Sequence, residues 1–208
     1  MSLAQIATSG LTFDEASHVY RLDGRAIPSV TTVIRDNRLG DDFHAVAPDV
    51  LEHARQRGTA VHAALHYWDE GTLDEATVDP VVAPYVAAWR RFVDERRVQI
   101  VAMERRHADQ VYRFAGTLDR MAVVDGRRTL IDIKSGSVGG AQFQTAAYAH
   151  LAGELPSVQR WAVQLHPERA IPYTVHPYTD RSDWRIFRSA LELTHERARL
   201  GRSWEIAA

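Results

Sequence analysis

The chain has 208 residues and a formal net charge of -2, with 45% hydrophobic and 25% charged residues, a composition typical of a soluble globular protein. It contains no cysteine, which excludes disulfides, cysteine nucleophiles, thiolate zinc sites and cysteine-ligated iron–sulfur clusters. The charge is also too low for a protein that coats nucleic acid non-specifically, so any nucleic-acid contact requires a local basic surface.

The N-terminal segment MSLAQIATSG lacks the basic start and apolar core of a signal peptide, and no long apolar run follows, so we expect a cytoplasmic protein without a membrane span. Alternating apolar and polar residues around Asp23-Gly24 predict a β-hairpin. Ser29 is a typical N-cap for a short helix, and Gly58 predicts a break between two helices. In chain order, the predicted elements are a hairpin at 11–30, a helix at 29–36, a loop at 38–48, and helical stretches at 49–68 and 80–97.

The second half of the chain is richer in strand patterns. Three predicted strands come first, a helix ending at Gly153 follows, and two more strands lead to a last helix. These elements are strands at 98–109, 112–125 and 128–135, a helix at 141–153, strands at 158–167 and 170–178, and a helix at 180–201. The order predicts a mixed α/β domain with a mostly antiparallel core sheet.

The turn at Asp125-Gly126 is the strongest local signal in the sequence, because Asp-Gly between two strand patterns favours a two-residue type I′ loop. The register that follows places Asp119 directly opposite Asp132, with Cβ atoms roughly 4.5–5.5 Å apart. Since side chains alternate between the two faces of a strand, Lys134 is expected on the same face as Asp132. Lys134 is also the only lysine among the 25 basic residues, and all the others are arginines.

Two aspartates facing each other destabilise a strand pair unless something neutralises them. A divalent cation does so, and carboxylate oxygens suit Mg²⁺ or Mn²⁺. Beside such a metal, Lys134 would orient or activate a water or neutralise charge on a phosphate. The alternative is a structural one, in which Asp119 and Lys134 form a diagonal salt bridge and Asp132 is solvated on an exposed face.

Five segments of the sequence carry a larger pattern, and in chain order they are YRLDGRAIPSVTTVI (20–34), RGTAVHAALH (57–66), GTLDR (116–120), LIDIKSG (130–136) and QTAAYAHL (144–151). Together they resemble the motifs of the PD-(D/E)XK nuclease superfamily, in particular the small phage and prophage members of its RecB-like exonuclease branch. The resemblance implies a restriction-endonuclease-like α/β fold in which helices flank a mixed central sheet. It also implies a single nuclease domain over 1–208, made of an N-terminal hairpin and helices (1–97), a catalytic core (98–153), and C-terminal strands and a helix (154–208).

The resemblance assigns roles to individual residues. The metal ligands it implies are His62, Asp119, Asp132, the backbone carbonyl of Ile133 and Glu104. Lys134 would be the catalytic lysine, Gln144 would bind near it, and Tyr148 would support the same site one helical turn later. Each residue also has an ordinary reading, as a core histidine (His62), a surface ion pair (Glu104), an exposed helix residue (Gln144) or a core tyrosine (Tyr148).

The activity implied by the resemblance is Mg²⁺- or Mn²⁺-dependent hydrolysis of DNA by an exonuclease of phage-type recombination or repair. The expected partners are duplex ends or single strands and a single-strand annealing protein, and a homo-oligomer is left open. Two alternatives stay open as well, a structure-specific or flap endonuclease and an inactive nucleic-acid-binding module. DNA phosphates would be held by arginines, for which a solvated protein surface is the alternative; the candidates are Arg90, Arg91, Arg96, Arg97, Arg105, Arg106, Arg113 and Arg120.

Overall fold

The computed structural model describes residues 6–7 and 9–202. Most of the N-terminal segment that was considered as a signal peptide, and the end of the predicted C-terminal part, lie outside the described residues; these are residues 1–5, 8 and 203–208. The described chain forms two sheets and five α-helices. The fold is a mixed α/β domain of the restriction-endonuclease-like type, as the sequence predicted.

The N-terminal region forms a small sheet followed by a short helix. Strand β1 (Ile6–Ala7) joins the main sheet, whereas β2 (Leu11–Asp14), β3 (Val19–Leu22) and β4 (Arg25–Ile27) form a separate three-stranded sheet. The predicted turn at Asp23-Gly24 is present, and φ is positive at both residues, at 52° and 76°, as a type I′ loop requires. Helix α1 (Val30–Asp36) begins after Ser29, whose hydroxyl accepts a hydrogen bond from the Thr32 amide at 3.0 Å.

Helix α2 (Pro48–Asp69) runs through Gly58 without interruption, so the predicted break is wrong. The residues around Gly58 are good helix formers, and Val61 and Leu65 are fully buried, which outweighs a glycine cost of about 1 kcal/mol. The glycine lies where the helix passes close to Ser135, since a Cβ at position 58 would be 3.5 Å from the Ser135 hydroxyl. A 3₁₀ turn (Glu75–Thr77) and helix α3 (Ala83–Glu95) follow.

The main sheet has the strand order β1-β5-β6-β7-β8-β9. Neighbouring strands are antiparallel except β7 and β8, which are parallel and are connected through helix α4. The bounds of these elements are β5 (Gln99–Asp109), β6 (Phe114–Val124), β7 (Arg127–Lys134), α4 (Ala141–Leu151), β8 (Gln159–Leu165), β9 (Tyr173–Tyr178) and α5 (Ser182–Arg199).

Helices cover both faces of the main sheet, and strand alternation decides which side chains each face buries. Ile131 and Ile133 of β7 pack with residues of α2 and α3, including Trp89. Leu130 of the same strand packs on the opposite face with residues of α1, α4 and α5, including Phe187. Both faces of β7 are therefore buried from Thr129 onward, so Asp132 lies inside the domain and Lys134 is only partly exposed, whereas Arg127 and Arg128 at the start of the strand are exposed. No helix in the described part of the chain combines the length and apolar content needed to cross a membrane.

Candidate active site

Glu104 lies opposite Asp119 across the β5–β6 pair, between the register partners Met103↔Arg120 and Arg105↔Leu118. The register of β5 shifts between Ile100 and Ala102, and Glu104 itself has a φ of 46°. A positive φ costs a non-glycine residue about 1–3 kcal/mol and persists only where the surrounding structure holds it. The irregular strand therefore brings the glutamate carboxylate towards Asp119.

His62 of helix α2 completes a compact group with these two carboxylates. Each of His62, Glu104 and Asp119 contributes one potential ligand atom, and these atoms all lie within 4.8 Å of one another. His62 Nδ1 is 3.8 Å from Asp119 Oδ1. We refer to His62, Glu104 and Asp119 as the three-residue group. Three segments that are far apart in sequence thus converge on one point.

Asp119 and Asp132 do not pair directly across the hairpin, which corrects the sequence prediction. The predicted register holds from Val124↔Arg127 to Arg120↔Ile131, and the pairing ends there, one step before the two aspartates. Beyond that point the Ile133 amide donates a hydrogen bond to Asp119 Oδ2 at 2.8 Å. The side chain of Asp119 thereby closes the end of the strand pair. The carbonyl of Ile133 stays a prediction as a metal ligand.

Asp132 and Lys134 lie on one face of β7, as alternation predicted. Asp132 is 1% exposed, and its Oδ2 is 3.0 Å from Lys134 Nζ. Lys134 Nζ also donates a hydrogen bond to Gln144 Oε1 at 2.8 Å, and Gln144 Nε2 donates one to the Tyr148 hydroxyl at 3.1 Å. The alternative with a solvated Asp132 is therefore wrong, and Lys134 pairs with Asp132 instead of Asp119. Four of the proposed site residues form a connected chain.

Gly116 of the GTLDR motif makes room for this chain. A Cβ at position 116 would lie 2.6 Å from Tyr148 Cε1 and 3.0 Å from Val30 Cγ2. Distances under 3.0 Å do not occur in real packing, so an alanine here would displace Tyr148. The ring of Tyr148 therefore lies against β6, the strand that carries Asp119.

Burial and charge shift the pKa values of this region in different directions. Burial raises the pKa of Asp132 to about 6, with Asp119 acting in the same sense and Lys134 opposing it. Burial lowers the pKa of Lys134, but Asp132 and Asp119 outweigh burial and leave it above its usual value. Burial, with help from Asp119, also raises the pKa of Glu104, and burial raises that of Tyr148 well above its usual value. Excess negative charge therefore accumulates here, while Lys134 stays a cation.

The donors of this region fit a divalent metal ion. Neither carboxylate oxygen of Asp132 accepts a hydrogen bond in the described part of the chain, although both are buried, and the approach of Lys134 lacks hydrogen-bond geometry. Lys134 balances part of the charge of Asp132, but a buried carboxylate whose oxygens accept no hydrogen bonds remains under-satisfied, and those oxygens are available to a metal ion. The three-residue group adds one imidazole nitrogen and two carboxylates beside Asp132, and the carboxylate oxygens that dominate this donor set suit Mg²⁺ or Mn²⁺.

Arg120 is fully buried, so its predicted contact with DNA is wrong. Its Nε is paired with Oδ2 of Asp69, whose side chain is 1% exposed, and its Nη1 donates to Glu104 Oε1 at 3.1 Å. Asp69 also accepts a hydrogen bond from Trp89 Nε1 at 2.9 Å. Arg120 therefore ties the end of α2 to Glu104. The apolar residues around Arg120 in sequence were a usable signal of burial, whereas Asp69 carried none.

The other predicted DNA-binding arginines lie at the surface. Arg106 lines the cleft that contains the three-residue group, and it pairs with Glu15 at 3.0 Å. Arg55 of α2 lines the same cleft and was not predicted. The remaining candidates are exposed or partly exposed and sit elsewhere: Arg90 pairs with Glu75, Arg91 with Glu95 and the Ala170 carbonyl, Arg96 approaches Trp161, Arg113 donates to the Leu22 carbonyl, and Arg97 and Arg105 are exposed.

Comparisons with known proteins identify the family. A model of the PD-(D/E)XK nuclease superfamily matches residues 16–206. A comparison with curated proteins gave no match. Among solved structures, the chain is similar to one titled "Crystal Structure of LHK-Exo in complex with dAMP", with a TM-score of 0.39 and 14% sequence identity, over 85% of this chain and 92% of that chain. The family match includes every residue of the site described above, and the chain belongs to the PD-(D/E)XK nuclease superfamily.

Proposed function

We propose that this protein is a divalent-metal-dependent DNA exonuclease. The observation that carries the proposal is the convergence of one imidazole and two carboxylates within 4.8 Å, beside the buried Asp132–Lys134 pair. A histidine, several carboxylates and one lysine at the end of a strand pair supply what metal-assisted phosphodiester hydrolysis needs. Membership of a nuclease superfamily supports the same reaction.

In this proposal His62, Glu104, Asp119 and Asp132 hold Mg²⁺ or Mn²⁺. The bound cation would polarise the phosphate and lower the pKa of the attacking water. The first three residues are already close together, and the carboxylate of Asp132 is buried without hydrogen bonds. No iron–sulfur cluster is involved, because the sequence has no cysteine to ligate one.

Lys134 acts in the proposal as a cation that positions the water and screens the phosphate. Its pKa lies above its usual value, since the pull of Asp132 and Asp119 exceeds the effect of burial, so the amine is protonated at neutral pH. Gln144 fixes the ammonium through the hydrogen bond to its side-chain oxygen. Tyr148 holds the amide of Gln144 in place and keeps its own phenolic proton, because its pKa is well above the usual value.

The exonuclease assignment and its setting rest on the resemblance of the motifs to the RecB-like exonuclease branch. We propose that residues 1–208 act as one nuclease domain in the cytoplasm, in phage-type recombination or repair, on duplex ends or single strands and beside a single-strand annealing protein. Among the predicted arginines, we assign phosphate contacts first to Arg106, which lines the cleft that contains the three-residue group. Such contacts make binding fall steeply as salt rises.

The test is a nuclease assay with Mg²⁺ or Mn²⁺ on three substrates, namely end-labelled linear duplex, single-stranded DNA and covalently closed circles. We expect digestion of linear DNA from its ends, no digestion of closed circles, and no activity in EDTA. Lys134→Ala should abolish activity, whereas Arg199→Ala, which removes an exposed cation on α5, should leave it unchanged. Cleavage of closed circles would instead support the endonuclease, and binding without cleavage of any substrate would support the inactive module.

A further inference from the structure

The cleft that contains the three-residue group extends to a second, aromatic end. It has a volume of about 470 Å³, and the proposed function uses only the end with the metal ligands. The other end belongs to the N-terminal three-stranded sheet and to β5, and its lining includes Phe13, His18, Tyr20 and Arg106. A cleft with carboxylates at one end and aromatic rings at the other matches the two chemically different parts of a nucleotide.

The rings at this end form one cluster around Phe13. Phe13 and Tyr20 are register partners on β2 and β3, with ring centroids 4.5 Å apart, and the His18 ring is 5.0 Å from Phe13. Tyr20 is buried, Phe13 is partly buried and His18 is exposed, so the aromatic surface open to solvent belongs to Phe13 and His18. We refer to Phe13, His18 and Tyr20 as the aromatic cluster. Nucleobases stack on such rings whatever their sequence.

The aromatic cluster is held at a fixed position relative to the metal ligands. The hydroxyl of Tyr20 is hydrogen-bonded to that of Thr117 at 2.6 Å, and Thr117 precedes Asp119 by two residues on β6. The turn before His18 is closed by Asp14, whose Oδ1 accepts from the amides of Ala16 and Ser17 at 2.9 and 3.1 Å. A base bound on the rings would therefore have a defined distance to a phosphate at the three-residue group.

Arg106 places a positive charge over one face of the Phe13 ring. Its guanidinium carbon is 4.7 Å from the Phe13 ring centroid, and its ion pair with Glu15 is exposed, with side chains 46% and 78% accessible. Exposed pairs of this kind contribute little stability, so the guanidinium can exchange Glu15 for a phosphate oxygen. The cleft thus offers a stacking surface and a phosphate contact next to the metal ligands.

We propose that the aromatic cluster is a nucleobase subsite, which stacks one base of the strand whose scissile phosphate lies at the three-residue group. The proposal rests on the proposed function, because it takes the ligand to be a nucleic-acid strand. The subsite reads no sequence, since stacking accepts every base. It gives the N-terminal sheet a direct part in substrate binding.

The test pairs a change in the protein with a change in the DNA. Phe13→Ala is compared with the unmodified protein on end-labelled oligonucleotides in which one nucleotide at a time is abasic, with Kd measured in EDTA and cleavage measured with Mn²⁺. We expect Phe13→Ala to raise Kd about 5- to 150-fold. At one position, an abasic nucleotide should raise the Kd of the unmodified protein by a similar factor but leave the Kd of Phe13→Ala almost unchanged. Phe13→Trp should bind DNA like the unmodified protein.

Controls separate this subsite from a structural role and from the catalytic site. Tyr67→Ala removes an aromatic side chain that is 52% exposed on α2 outside the cleft, and it should not change Kd. Phe13→Ala should bind Mn²⁺ with the same affinity as the unmodified protein. If Phe13→Ala fails to fold, the abasic comparison is repeated with His18→Ala, which lies on the exposed turn. If each abasic nucleotide weakened DNA binding equally for Phe13→Ala and for the unmodified protein, and both proteins still cleaved DNA, the subsite would be overturned but the proposed function would stand. Absence of any cleavage or binding would overturn the proposed function itself.

Discussion

The Ile133 amide donates a hydrogen bond to Oδ2 of Asp119 at 2.8 Å, at the point where the β6–β7 pairing ends. The other oxygen of the same carboxylate is 3.8 Å from His62 Nδ1. Asp119 therefore has two separable functions. One oxygen satisfies a buried backbone donor and supports the fold, and the other belongs to the three-residue group and is available to a metal ion.

Substitutions at Asp119 should separate these functions. Asp119→Asn keeps an oxygen that accepts from the Ile133 amide but removes the charge, so we expect near-normal stability and a loss of Mn²⁺ affinity of at least roughly 10–100-fold. Asp119→Ala leaves the amide without a partner and should cost a further ~1–3 kcal/mol of unfolding free energy. Urea unfolding without metal and Mn²⁺ titration measure the two effects. Equal unfolding free energies for the two variants would contradict the structural function.

Gly116→Ala should damage the site without replacing any of the proposed site residues. The added Cβ would meet Tyr148 at 2.6 Å, and the displaced ring would release Gln144 and then Lys134. Overpacking of this kind costs about 1–3 kcal/mol, and we expect a large fall in kcat. Gly136→Ala is the matched control, because a Cβ there meets nothing within 4 Å, and its stability should change by less than about 0.5 kcal/mol. Unchanged kcat in Gly116→Ala would refute the packing argument.

Local chemistry was enough to predict the centre of the fold. The Asp-Gly turn set the β6–β7 register as far as Arg120 and Ile131, and alternation then placed Asp132 and Lys134 on one face. The register failed at Asp119 because its side chain replaced a backbone partner of Ile133. No pattern in a single strand indicates such a replacement, since it depends on how two strands separate beyond the paired segment.

Features that depend on tertiary packing were not predictable in the same way. Gly58 has the sequence signature of a helix break, but buried contacts on either side keep α2 continuous. Arg120 looked like one more basic residue in an arginine-rich chain, and its structural role comes from its contacts with Asp69, 51 residues away, and with Glu104. The position of Glu104 likewise depends on the register shift in β5, which brings it opposite Asp119.

The buried Arg120–Asp69 pair predicts a large and partner-dependent loss of stability. Both side chains are at most 1% exposed, so Arg120→Met leaves the Asp69 carboxylate buried without its cation and should cost about 3–5 kcal/mol. Adding Asp69→Asn to Arg120→Met removes the uncompensated charge and should recover part of that loss. Thermal or urea unfolding of the single and double variants gives the coupling directly. Strictly additive losses would show that the two side chains do not stabilise each other.

The Asp109–His150 contact predicts a loss of stability at acid pH. Asp109 Oδ2 is 2.7 Å from His150 Nε2. Burial raises the pKa of the Asp109 carboxyl, but the hydrogen bonds from His150 and the Tyr112 amide outweigh burial and hold this pKa below 3.8. As the pH falls, the Asp109 carboxyl is protonated at a higher pH in the unfolded chain than in the folded protein. The stability that the ionised carboxylate contributes is therefore complete above about pH 4 and disappears as the pH falls through the folded pKa. Asp109→Asn should therefore be about 1 kcal/mol less stable than the unmodified protein at neutral pH, and the difference should shrink as the pH is lowered from 5 to 3. His150→Phe, which keeps an aromatic ring against Trp184, should also flatten the pH dependence. Urea unfolding across this pH range gives the three curves, and parallel curves for Asp109→Asn and the unmodified protein would contradict the assignment.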